Sequence, residues 1–260
     1  MIGFLGDLAR WFAQNWDGDT GYLTRIWEHV VLSGVSLGTA LMVALPLGAW
    51  FGHTGRGGRV AVPLLNIGRA LPSFGIVVLA LPFTIWLARV VPFIGSGLGF
   101  LPIFVALFAL AVPGIFTTTH AGIRAVDQDT VEAARGMGIT GWHILTSVEL
   151  PMASPVIMTG IRITAVQVVA TAPLGALVAY GGLGRFIIDG FAVRDSVQIA
   201  AGALLVALLA LATEVAFSLL ERRVVPQGVS GKAGNIHLGA LVEPVGRRAA
   251  APLTPTNREE

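Results

Sequence analysis

Residues Glu132 to Pro151 read EAARGMGITGWHILTSVELP, a polar island between two long apolar runs. Just ahead of it and into it, Asp129-Thr130-Val131-Glu132 has the form of a capping box, with Asp129 accepting from the N–H three residues on and Glu132 reaching back. A short helix is expected through Ala133, Ala134 and Arg135, because Ala has the best helix propensity and its small side chain lets another surface come close. Gly138 can take the left-handed conformation that ends the helix. Thr140 can cap a second short helix running to Val148, and Pro151 is expected to break it. The segment predicts a stiff helix–turn–helix knuckle, and its flanks decide what the knuckle is for.

The flanks read as membrane spans. Of 260 residues, 54% are apolar and 12% charged, against about 25% charged in soluble domains. The apolar residues gather in blocks near the roughly 20 residues that a bilayer-crossing helix needs. These are Val30–Phe51, Val60–Ala88 (interrupted by Pro63, Pro72 and Pro82), Leu101–Thr119, Pro155–Tyr180 and Val197–Leu220. The expected fold is all-α, a polytopic membrane bundle of about five transmembrane helices with room for a sixth. Its divisions are an N-terminal segment 1–29, a transmembrane domain 30–224 holding the loop 120–151, and a tail 225–260. The tail is rich in Gly, Pro, Arg and Ala and reads as disordered. Pro92–Gly99 and Gly181–Gly184 are too rich in Gly and Pro for regular helix and read as turns or short re-entrant pieces.

The N-terminal segment lacks the basic start, continuous apolar stretch and cleavage site of a signal peptide. Ile2, Phe4, Leu5, Leu8, Trp11 and Phe12 recur at helical spacing opposite Asp7, Arg10 and Gln14, which predicts an amphipathic helix lying against membrane lipid. Basic residues set the orientation. With the Glu132 loop in the cytoplasm, Arg56, Arg59, Arg124, Arg135, Arg222, Arg223, Lys232, Arg247, Arg248 and Arg258 lie inside, ten residues. Arg10, Arg25, Arg89, Arg185 and Arg194 lie outside, five residues, so the N-terminus is expected outside and the C-terminus inside. Arg162 and Glu214 fall near the inner ends of their spans, where snorkelling to lipid headgroups is preferred over gating or ion binding.

Several chemistries are excluded. Without Cys there is no disulfide, thiol nucleophile or Cys-bound metal. Asp127 and Asp129 read as helix caps, and His29, His53, His120, His143 and His237 fall in separate segments without ligand spacing, so no metal is expected. No catalytic motif stands out. The basic residues form no patch with interleaved aromatics, so no nucleic-acid partner is expected. No Asp, Glu, Lys, Arg or His occurs in Val30–Phe51, Ala70–Ala88, Leu101–Thr119, Ile163–Gly184 or Ser196–Thr213. That argues against a proton-coupled carrier and leaves open a sodium-coupled one that uses the carbonyls of broken helices. Pro72 and Pro173 each free such a carbonyl.

The order Glu132-Ala133-Ala134, three residues, Gly138, nine residues, Val148-Glu149-Leu150-Pro151 resembles the EAA loop of permease subunits in ATP-binding-cassette (ABC) importers, with Val148 where that pattern prefers Ile. The resemblance implies that the loop docks on an ATPase subunit, with Glu132 offering a charge, Ala133 and Ala134 the packed face, Gly138 the turn, and Leu150 and Pro151 closing the motif. It also implies ABC ATPase subunits, a second permease copy or a paralogue, and an external substrate-binding protein as partners, in a bacterial inner membrane. ATP would be bound by the ATPase, and this chain would carry no cofactor. The nearest approach to a phosphate loop, Gly228–Ala233, lacks both its leading Gly and the Ser/Thr after Lys232.

Ile26–Val35, Ala70–Pro82, Gly136–Trp142 and Gly181–Phe191 are similar to the osmoprotectant permeases for glycine betaine, carnitine, choline and proline. Aromatic faces suit a quaternary ammonium, which makes Phe74, Phe83 and Trp86 candidate path residues, with Ser73, Gln167 and Thr171 as polar liners. Each of the six is also readable as helix packing. The rivals are an ABC permease for an amino acid or a sulfonate, and a secondary carrier or channel.

Overall fold

The computed structural model of the chain describes residues 2–70, 72–91 and 97–225. The tail from Pro226, including Gly228–Ala233, lies outside them, as do Leu71 and the first five residues of the Pro92–Gly99 turn. The helices are α1 (Ile2–Gln14), α2 (Tyr22–Thr54), α3 (Gly58–Ala70), α4 (Ser73–Val90), α5 (Phe100–Arg124), α6 (Gln128–Gly136) and α7 (Gly141–Ile144). One π turn (Leu145–Glu149) then leads into α8 (Leu150–Thr171), a 3-10 stretch (Ala172–Val178), α9 (Gly184–Val193) and α10 (Ser196–Val224). The fold is all-α, with no strand among the described residues. Five helical stretches are long and apolar enough to cross a membrane: α2, α4, α5, the composite Gly141–Val178, and α10.

Three boundaries differ from the sequence reading. The first span starts at Tyr22 rather than Val30 and runs 33 residues, about 50 Å at 1.5 Å per residue. The second apolar run is two helices, parted at Pro72, because proline disfavours helical backbone in the residue before it. Pro63 and Pro82 lie inside their helices and end nothing. After Gly181–Gly184 the chain forms α9, a ten-residue helix that the glycines and a polar edge had hidden.

The core is the seam between α2 and α5. Small residues Ser36, Ala40, Ala44, Gly48 and Gly52 repeat every fourth position on the buried face of α2, a pattern that lets helix backbones approach closely. A Cβ added to Gly48 would stand 2.9 Å from the Phe116 carbonyl oxygen, so only glycine allows this approach. Ile103, Leu107, Ala111 and Ile115 supply the facing row of α5, all fully buried. The N-terminal α1 docks through Trp11, edge-on to Phe186 at 5.1 Å, and Phe12, edge-on to Tyr22 at 5.8 Å. Its Phe4 and Leu5 remain exposed.

Candidate functional site

The C-terminal ends of α2, α5 and α10 and the start of α8 meet α6 and α7 around one apolar cluster, with Ala49, Ile123, Val131, Ala134, Ile144, Leu145 and Ile157 buried and Phe217 packed on it. The knuckle therefore sits directly on four spans. Its first helix starts two residues earlier than expected. Asp127, not Asp129, is the N-cap, and its carboxylate accepts from the Asp129 N–H at 3.0 Å. No capping box forms. Glu132 stands exposed, without a hydrogen-bond or ion-pair partner among the described residues.

Gly138 has φ +80 with open space around it. Its glycine is thus required by conformation and not by room, since a left-handed residue with a Cβ costs about 1–2 kcal/mol. Of the alanines, Ala133 faces outward and Ala134 is turned into the chain's own core, 3% exposed. The outward face is completed by two residues that the sequence reading passed over, Met137 (73% exposed) and Trp142 (66%). Both are large apolar side chains open to solvent on an otherwise polar knuckle. Helix periodicity did not announce them, since Met137 is the C-cap of α6, three residues after buried Ala134, and Trp142 lies on the separate helix α7.

Thr140 is the N-cap of α7, though without a side-chain cap bond. Pro151 does not break the second helix. At the π turn the Leu150 N–H reaches back to the Leu145 carbonyl, and the wider turn carries one continuous rod from Gly141 into the fourth span. Leu150 and Pro151 are half-buried within that rod. Glu149, next to them, is 4% exposed. Its carboxylate accepts from His53 Nδ1 at 2.6 Å, pinning the end of α2 to the rod. Neither residue had been given a role, because nothing local in the sequence pairs positions so far apart.

The sequence reading sent Arg162 and Glu214 to lipid, and the structure corrects that. Arg162 lies 3.5 Å from Glu214 and 3.4 Å from Glu221, between α8 and α10, and Thr159 adds a long bond to Glu221 at 3.4 Å. Of the path candidates, Phe83 and Trp86 come together on α4 with ring centroids 6.3 Å apart. Phe74 shares their exposure, while Ser73, at the first turn, is half-buried. Gln167 and Thr171 sit on α8, the former exposed and the latter half-buried.

The opposite end of the bundle closes on itself. Glu28 accepts from Arg25 Nη1 at 2.8 Å and from the Gly182 N–H at 2.6 Å. The Tyr180 hydroxyl donates to the Glu28 carbonyl at 2.9 Å. Burial, with the Glu28 carboxylate beside it, pushes the Tyr180 pKa up and keeps that hydroxyl a donor. His29, fully buried, donates from Nε2 to the Val169 carbonyl at 3.0 Å. Leu183 is sealed beneath α1 and α10.

With this geometry in hand, the chain was compared with known proteins. Residues 44–226 match the family described as Binding-protein-dependent transport system inner membrane component. The chain is 36% identical over 209 residues, 80% of its length and 89% of the other's, to the carnitine transport permease protein OpuCB of Listeria monocytogenes. It is 32% identical over 220 residues, 85% of its length and 95% of the other's, to the glycine betaine/carnitine/choline transport system permease protein OpuCB of Bacillus subtilis (strain 168). Among solved structures, inward-facing conformations of the MetNI methionine ABC transporter match with a TM-score of 0.70 at 25% identity, over 79% of this chain and 96% of that one.

Proposed function

Since this chain belongs to the family of binding-protein-dependent transport system inner membrane components, we propose that it carries quaternary-amine osmoprotectants (glycine betaine, carnitine or choline) through an ATP-driven importer. That it is a multi-pass ABC-importer permease, a transport component, follows from family and fold. The solute is supported by the names of its relatives, which cover four-fifths of the chain. A path free of fixed charge at the span centres suits a zwitterion or a permanent cation that arrives already selected by an external binding protein.

The observation that carries the mechanism is the exposed knuckle fused to a rod. In this reading Glu132, Ala133, Met137, Gly138 and Trp142 meet the ATPase subunits, which bind the ATP. Leu150 and Pro151 lie in the rod that passes their motion to the fourth span. Residues 1–21, 22–224 and 225–260 serve as interfacial segment, permease domain and cytoplasmic tail, the first boundary moved from 29 by the start of α2 at Tyr22. The N-terminus is outside, the knuckle and C-terminus inside, and a second permease subunit completes the pathway. Ser73, Phe74, Phe83, Trp86, Gln167 and Thr171 remain the candidate lining.

Proteoliposomes holding the chain with its ATPase and binding protein test this. Labelled glycine betaine, choline or carnitine should accumulate only with ATP and with all components. Uptake by the purified chain alone would overturn the importer reading, and ATP-driven uptake of a different solute would overturn only the cargo.

A further inference from the structure

Pro173 has no N–H, so the carbonyl four residues back, that of Val169, loses its helical donor. Inside a bilayer such a carbonyl is costly when left alone. Here it is taken. His29, in the second turn of α2 and 1% exposed, donates to it from across 140 residues at 3.0 Å. Two more bonds join the same stretches, from Gly182 N–H to the Glu28 carboxylate and from the Tyr180 hydroxyl to the Glu28 carbonyl. Past Pro173 the chain narrows to 3-10 geometry, turns at Ala179 with φ 65, and folds back until Gly184 lies against the Pro173 carbonyl. Residues 172–184 are thus tied to the first turns of α2 through Glu28 and to the start of α5 through the Gly99 N–H on the Val178 carbonyl at 2.7 Å.

We propose that His29 is a positioning residue for transport. It supplies the N–H that Pro173 lacks and fixes the outer end of α8 to the first span, beside the Glu28 bonds that hold 180–182, so that the outer ends of the first and fourth spans move together. The proposal rests on the permease reading and its orientation. It also places a donor on the Val169 carbonyl, the group that a sodium-coupled carrier would have used as a ligand at this break.

The test uses the assembled importer in proteoliposomes and reads glycine betaine uptake, ATP hydrolysis and thermal midpoint on the same preparations. His29→Ala is expected to lower uptake per ATP by about ten-fold, the scale of one lost buried hydrogen bond, and to lower the midpoint. His29→Gln keeps an N–H near the place of Nε2 and should restore both readings. Adding Pro173→Ala to His29→Ala returns a helical donor to Val169, so it should restore the midpoint but not the coupling, because the outer end of α8 is then no longer tied to α2. Wild-type coupling in His29→Ala overturns the proposal. So does a double variant no more stable than His29→Ala, or one that regains coupling, which would make the role purely structural. If His29→Ala does not assemble, the double variant decides: intact but uncoupled supports the latch, and unassembled refutes it. Wild type that hydrolyses ATP without moving glycine betaine faults the cargo assignment alone, and the midpoints together with ATPase activity stimulated by binding protein then read the latch.

Discussion

The two ends of this bundle handle their surface in opposite ways. At the knuckle, Met137 and Trp142 stand in the open and Glu132 has no partner among the described residues. At the far end, Trp11, Phe12, Tyr22 and Phe186 cover one another, and Glu28 and His29 spend their hydrogen bonds on 169–182. The knuckle leaves its carboxylate without a partner among the described residues, whereas the far end pairs its own polar groups while Trp16, Trp27 and Phe191 stay exposed there. Both ends nevertheless grip the fourth span, His53 at its base through Glu149 and His29 near its top through Val169. The first span therefore holds the fourth at two points, the upper one just before the proline break.

The sharpest way to break this contrast is Gly138→Pro. Proline fixes φ near −65° where the chain needs +80, so the knuckle cannot keep its shape. Because no neighbour approaches the Gly138 Cβ position, the bundle itself should still insert. ATP-driven uptake should fall below detection, and the thermal midpoint of the membrane-extracted chain should fall with it, because the Gly138 N–H bond to the Arg135 carbonyl is lost, while the chain still inserts. Normal uptake would show that the exposed end transmits nothing.

A smaller effect is expected from the pin at the base. Glu149→Ala leaves half-buried His53 without its acceptor, a loss of about 1–3 kcal/mol, and His53→Ala, which strands the buried Glu149 carboxylate, should cost a similar amount from the other side. If the two act as one pin, the double variant should be hardly worse than either single, with a coupling of about 0.5–3 kcal/mol in the cycle. Additive losses in chemical unfolding would mean that the residues serve separate partners.

How much of this was legible beforehand follows from the range of each interaction. Hydrophobic runs and the loop's spacing are local, so the five spans, Gly138 and the knuckle could be read along the chain. The cap moved from Asp129 to Asp127 because two aspartates compete for the first turn within a few residues, and spacing alone does not choose between them. Pro151 was misread as a break, since a π turn is one remedy for proline that composition does not announce. The pairs His53–Glu149, Arg162–Glu214 and His29–Val169 join distant helices and have no sequence period. For the last of these a clue did exist: Pro173 names Val169 as the orphaned carbonyl, and a buried donor had to be found for it.

The aromatic residues at the two ends offer a subtler comparison. Trp142→Ala removes an exposed ring and should leave the thermal midpoint within the ±0.5 kcal/mol range of ordinary surface changes, while reducing stimulation of the ATPase. Trp11→Ala removes a ring that packs edge-on against Phe186 and should cost about 0.5–1.5 kcal/mol beyond its buried area, with ATPase stimulation intact. If the two tryptophans exchanged these signatures, the division into an open end and a closed end would fail.

The smallest effect belongs to Arg162, and it asks whether the α8–α10 contact is a third hold on the fourth span. Its distances to Glu214 and Glu221 are 3.5 and 3.4 Å, with the three side chains 26%, 43% and 23% exposed. Those are loose, partly wet pairs near the inner face, unlike the 2.6 Å bond that His53 makes. Exposed pairs of this kind contribute about 0–1 kcal/mol and weaken with salt. Arg162→Gln should therefore lower the midpoint only slightly at low ionic strength and not at all in high salt, leaving uptake near the wild-type rate. A loss as large as that of Glu149→Ala, insensitive to salt, would mean that α10 steers the rod as strongly as α2 does.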